Sequence, residues 1–340
     1  MTSSTSSSSR SNNKRVHWPR TWLVALLLVA IVAGAWEFVL RDAGLGPRYV
    51  DNRALWADTR HHLNDEGPDA IALLGASRQQ RAIDVQAMAD ALDRPVYQLA
   101  VEGTSSLPTL ENLAADPRFR GTVIYSIAPA FSYNRKLSKL DGGNQAKWVR
   151  YYRKQSFVER AEQRLRLLVQ GALASRSPDA ALPLVSASIL SGQGLPAPDH
   201  KETFRDRSVH VDYALQTGRK DRQGIIDLYL QNTEAYSDAE FQTIIDYFAA
   251  LVDILRKKGV DVFVIRLPSD EQVFELEKQL FPKTRFWAAM EQQIDATFMH
   301  FEDHPELLGY LSGDGSHIDS ERNTEFTNAL VGTLKANGLR

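Results

Sequence analysis

The apolar positions divide the chain into one terminal run without a polar face and a body in which short apolar runs alternate with amphipathic stretches. Ile71-Ala72-Leu73-Leu74 is a continuous apolar run that stops at Gly75-Ala76-Ser77, the pattern of a strand buried on both faces. Asp84 then suits the N-cap of an amphipathic helix through Leu92, with Val85, Met88, Ala89 and Leu92 on one face. Further strands are predicted over 95–100, 121–127, 260–266 and 296–301, and helices over 108–115, 238–257, 270–279, 284–294 and 320–335. Such alternation implies parallel strands joined by right-handed crossovers. The expected fold is therefore α/β, with a mostly parallel five-stranded sheet in a three-layer α/β/α arrangement.

Between about 131 and 231 the alternation breaks. Phe157–Val169 has helical spacing, whereas 175–224 reads as loop, dense in Ser, Pro, Gly and charge. An insertion of this length into a compact sheet points to a functional element or lid. Its Lys, Arg and aromatic residues read first as a plain solvated helical surface, and otherwise as a contact for acidic sugars or lipid headgroups.

The terminal run extends from Thr21 to Leu40 and is interrupted by Glu37 alone. At about 20 residues it is long enough to cross a hydrocarbon core as a helix. Arg10, Lys14, Arg15 and Arg20 precede it, so the positive-inside bias puts a disordered, Ser-rich tail (1–20) in the cytoplasm and the main domain outside. Trp18, Trp22 and Trp36 fall where interfacial aromatics belong. Ala33-Gly34-Ala35 also fits a signal-peptide cleavage site, and both readings export the remainder of the chain. Residues 41–69, with a polar helix-like segment around Ala54–Leu63, are expected as a stalk, leaving 70–340 as the exported domain.

Composition narrows the chemistry. A chain of 340 residues that is 43% hydrophobic can bury a sizeable core, and a net charge of −2 gives no reason to expect a nucleic-acid partner. The absence of cysteine excludes disulfides, thiol catalysis and Cys-ligated metals. His61, His62, His200, His210, His300 and His304 show no metal-ligand spacing, and no Gly-rich nucleotide loop is present; no cofactor or metal is expected.

Two stretches carry candidate chemistry. Ser77 ends the first strand, at the carboxyl edge where open α/β sheets bind ligands; alone, it reads as a cap of the next helix, as most serines after a strand do. Asp314-x-x-His317 follows the last strand. There an Asp carboxylate can accept the Nδ1 proton of the His and leave Nε2 free as a base, which a serine hydroxyl requires. Alone, that pair reads as a capping Asp beside a surface His. Arg266 ends the fourth strand, facing the same rim, as a cation for substrate or as half of an ion pair. Arg78 and Arg81 are either substrate cations or solvated loop residues.

Together, Gly75-Ala76-Ser77 and Asp314-x-x-His317 resemble the SGNH (GDSL-like) hydrolase superfamily, over roughly 70–130 and 235–338. The resemblance implies an SGNH/flavodoxin-like fold with Ser77 as nucleophile, His317 as base and Asp314 as its orienting acid. It also implies that the N–H groups of Ser77 and Gly103 form the oxyanion hole. The chain departs from the pattern at Ala76, where the family has Asp, and at Ser126-Ile127-Ala128-Pro129, where the family's Asn donor is missing. With its terminal anchor, the chain is similar to membrane-anchored SGNH-like proteins that work beside membrane-bound O-acyltransferases on envelope or exported polysaccharides. The resemblance thus implies an acyltransferase or esterase acting through an acyl-serine. A non-catalytic glycan-binding or assembly partner and a secreted lipase or esterase are the alternatives.

Overall fold

The apolar runs pair into a single parallel sheet. In the computed structural model, which describes residues 18–138, 140, 143–215 and 222–340, the strands are β1 (Ile71–Leu74), β2 (Val96–Gln98), β3 (Thr122–Ser126), β4 (Lys201–Thr203), β5 (Val209–Val211), β6 (Val262–Arg266) and β7 (Thr297–His300). The main sheet has the order β2-β1-β3-β6-β7 with every neighbouring pair parallel; β4 and β5 form a separate antiparallel hairpin. From β1 the chain adds β2 on one side and then returns to add β3 on the other. The carboxyl ends of β1 and β3 therefore flank the topological switch point, where this class of sheet opens a crevice.

Side-chain alternation along the strands feeds two apolar clusters, one on each face. Ala72, Leu74, Val123 and Val264 join the cluster that includes the Asp238–Lys257 helix. Ile71, Leu73, Ile124 and Ile265 join the one that includes the Val85–Leu92 and Asn323–Ala336 helices. Helix starts follow local rules: the Asp84 side chain accepts the Ala87 N–H at 3.0 Å, and Ser237 with Glu240 closes a capping box.

Two expectations are corrected. Residues 41–69 are not a stalk, because Arg53–Asp65 is a helix whose Leu55, Trp56 and Leu63 are buried in the body. Its polar composition hides this; Arg60 is also fully buried, held by Asn112 and Asp116 at 2.9 and 3.0 Å. Nor is 175–224 simply loop, since it contains the Leu182–Leu190 helix and the β4–β5 hairpin. The helix Trp18–Asp42 is long and apolar enough to cross a membrane. The expected tail with Arg10, Lys14 and Arg15 lies outside the described residues, as do 139, 141–142 and 216–221 of the insertion.

Candidate active site

Ser77 begins a six-residue helix, Ser77–Ala82, directly after β1. The turn into it is tight: a Cβ added at Gly75 would lie 2.5 Å from Gln79 Cβ and 3.1 Å from Ser126 Cβ, so no larger residue fits between helix and sheet. Ser126 belongs to the stretch that lacks the expected Asn. Within the buried run from Ile71 to Ile83, Ser77 alone is partly exposed.

Asp314 and His317 sit on an antiparallel loop rather than in a helical turn. Ser312 N–H bonds to His317 C=O at 2.9 Å and Asp319 N–H to Tyr310 C=O at 2.8 Å, closing the loop from both sides. Gly315 turns its tip with φ +72°, a conformation that favours glycine, and a side chain there would collide with the Asp270 carboxylate. Asp314 Oδ1 accepts the N–H groups of Ser316 and His317 and the Ser312 hydroxyl at 2.8, 3.0 and 2.9 Å. Those bonds fix the carboxylate so that Oδ2 meets His317 Nδ1 at 2.7 Å, while His317 Nε2 lies 3.0 Å from Ser77 Oγ. With Nδ1–H donating to Asp314, Nε2 is the acceptor for the serine hydroxyl.

The charges around this triad favour a neutral imidazole. Burial pushes the His317 pKa below its ordinary value, and the Arg81 charge acts in the same direction, together outweighing Asp314. Burial alone would raise the Asp314 carboxyl. The hydrogen bond and charge of His317, with the Ser316 N–H and Ser312 hydroxyl, hold it instead well below the usual carboxylate range.

The three candidate cations lie inside the protein, not solvated and not open on the rim. Arg78 and Arg266 are 4% and 3% exposed, and both are tied to the buried carboxylate of Glu277. Arg78 Nη2 reaches Glu277 Oε1 at 2.6 Å, and its Nε bonds Ser316 Oγ at 3.1 Å, so it links the nucleophile helix to the triad loop. Ser269 and Tyr229 also donate to Glu277. Arg81 pairs with Glu102 at 2.8 Å, and Lys201 takes the other oxygen of Glu102, also at 2.8 Å. Substrate contact by Arg266, Arg78 and Arg81 thus gives way to internal bracing. Arg78 and Arg266 share the buried Glu277, and Arg81 pairs with the partly exposed Glu102.

Gly103 follows Glu102 in a turn, with φ +69°. The backbone leading to it is pinned by residues that sequence reasoning missed. β2 is an edge strand, and Arg207, fully buried, donates to the carbonyls of Gln98 and Ala100 (2.8 Å to the latter) and pairs with Asp51 at 2.8 Å. Trp56 Nε1 donates to the Leu99 carbonyl at 2.9 Å between them. Arg207 is held at φ +68°, a strained conformation for a side-chain-bearing residue. Tyr213, just past the hairpin, stacks on the His317 ring with centroids 6.2 Å apart.

No protein-family model matches the chain, and no curated protein matches it.

Proposed function

We propose that the chain is a membrane-anchored, extracytoplasmic acyltransferase or esterase of SGNH-like, three-layer design that acts on ester-linked acyl groups of an envelope or exported polysaccharide. The observation that carries this reading is the continuous contact Ser77 Oγ to His317 Nε2 to Asp314 Oδ2, at 3.0 and 2.7 Å. Those three side chains come from segments 240 residues apart in sequence, which a capping serine and a surface histidine would have no cause to bring together.

In this mechanism His317 takes the Ser77 proton as Oγ forms its bond to the acyl carbonyl carbon. The N–H groups of Ser77 and Gly103 hold the resulting oxyanion; each such donor is worth on the order of 100- to 1,000-fold in rate. Collapse breaks the bond to the leaving oxygen, which receives the proton from His317, and leaves an acyl-serine. A sugar hydroxyl or water, deprotonated in turn by His317, then removes the acyl group. Asp314 remains ionised throughout and stabilises the imidazolium.

The apolar helix Trp18–Asp42 supports the anchored location, with the amino terminus in the cytoplasm and the main domain on the periplasmic side. A membrane-bound O-acyltransferase is the partner this reading implies as acyl supplier. The test is turnover of an activated acetyl ester by the full chain in detergent, with and without an oligosaccharide acceptor. Ser77→Ala should lower both hydrolysis and transfer by about 1,000-fold or more without changing thermal stability. Equal turnover by the variant contradicts the assignment.

A further inference from the structure

The Phe157–Ala172 helix turns most of its apolar residues outward. Its buried residues are Gln163 and Leu167, and Gln163 bonds the helix to the 53–65 element through the Ala54 carbonyl. Phe157, Val158, Leu165, Leu168 and Val169 are exposed, most of them by more than 60%. At 100° per residue these five positions, with Ala161 and Ala172, fill one continuous sector of about 120°, and Glu159, Glu162 and Arg166 bound it on one side. The following helix, Leu182–Leu190, buries only Val185 and exposes Leu182, Leu184, Ile189 and Leu190, the last at 88%. An outward apolar face on two neighbouring helices is the mark of a surface that meets something apolar.

The terminal helix shows what that is. Its carboxyl end packs on the two short turns that separate these helices, Ala174–Arg176 and Pro178–Ala180. Leu40 and Leu45 are buried against Ala174 and Ala180. Glu37 accepts the N–H groups of Ala174 and Ser175, the latter at 3.0 Å, and Arg41 donates to the Ala172 carbonyl at 2.9 Å. The exit of a helix long and apolar enough to span a bilayer is thereby fastened to the segment from which both apolar faces project. A bilayer around that helix begins where those faces are.

We infer that the helices Phe157–Ala172 and Leu182–Leu190 form a second membrane contact, lying in the interfacial layer of the leaflet from which the anchor emerges, with the bilayer lipid as their occupant. Interfacial helices are of this kind, with an apolar face in the acyl boundary and charges along its edge. Such a contact would hold the body of the protein against the membrane instead of leaving it to swing on the anchor. The inference rests on the membrane reading of the anchor and not on the triad.

The chain has no cysteine, so single-cysteine variants label cleanly. The full chain would be reconstituted in vesicles of phosphatidylethanolamine and phosphatidylglycerol, carrying an environment-sensitive fluorophore at Leu168→Cys, Leu190→Cys, Leu28→Cys or Glu325→Cys in turn. All four side chains are exposed, so labelling leaves the fold intact; unchanged circular dichroism verifies this. Leu28 reports the anchor and Glu325 a surface on a separate helix. Labels at 168 and 190 should lose fluorescence to lipids spin-labelled near the headgroups, the label at 28 to lipids spin-labelled deep in the chains, and the label at 325 to neither. Quenching at 168 and 190 no greater than at 325, with 28 still quenched, overturns the inference and leaves the anchor standing. A blue shift at 168 and 190 without lipid quenching overturns it too, in favour of a protein partner or second copy. No quenching at 28 removes the anchor itself.

Discussion

Asp314 divides its two oxygens between two tasks. Oδ1 holds the loop together through three hydrogen bonds, and Oδ2 faces His317 Nδ1 alone. Asp314→Asn can keep the first set with its carbonyl oxygen while placing an NH2 group against Nδ1. That forces the proton to Nε2, where it blocks acceptance of the Ser77 hydroxyl proton. Turnover should fall by about 10,000-fold with folding intact, as read by steady-state kinetics alongside thermal unfolding. The sign of the pH dependence follows from the same residues. His317 must be neutral to act as base, and burial with the Arg81 charge lowers its pKa. The acid limb of kcat/KM therefore lies below the ordinary histidine value of about 6.5, so activity persists as pH falls through that value and is lost only further down. A limb at or above it would contradict the described environment. The contact of Ser77, His317 and Asp314 was legible because the two stretches that carry them follow strand ends that share one edge of a parallel sheet. The role of Arg78 was not: its partner Glu277 is 199 positions away, and nothing in the local sequence distinguishes a buried cation from a solvated one.

Among the elements, strands were read well and polar helices poorly. The three inner strands, β1, β3 and β6, are buried along their whole length and read as mostly apolar runs, which burial on both faces demands. The β4–β5 hairpin escaped notice because Lys-Glu-Thr and Val-His-Val are too short to show alternation. The helix Arg53–Asp65 is legible as a polar helical segment, but its burial is not, because its buried polar groups are matched by partners supplied from elsewhere, such as Asp116 for Arg60. In Phe157–Ala172 the period was visible but not which side the core would take. The hairpin matters most for the site, since it brings Arg207 to the open carbonyls of β2 and so fixes the approach to Gly103. Arg207→Met removes the charge partner of Asp51 and leaves its Oδ1 and two carbonyls without this donor, and unfolding measurements should show a loss of about 3–5 kcal/mol. Arg207→Lys should restore little of it, because one ammonium cannot span the three acceptors that the guanidinium fork reaches. A loss under about 1 kcal/mol for Arg207→Met would mean that the clamp has little energetic part in holding β2.

At the scale of the whole molecule, the 131–231 insertion connects the two ends of the protein's chemistry. Its Phe157–Leu190 portion meets the exit of the terminal helix, its hairpin and Tyr213 meet the nucleophile side of the site, and Tyr229 reaches Glu277 beneath the triad loop. The sheet supplies the strand ends, and this segment supplies contacts that brace the loops around them. The central claim is that Ser77 becomes acylated. The full chain, exposed to an activated acetyl ester, quenched in acid and digested, should yield an acetylated peptide containing Ser77, and the His317→Ala chain should not. Acetylation absent from that peptide in the wild type, or present to the same extent without His317, would contradict it.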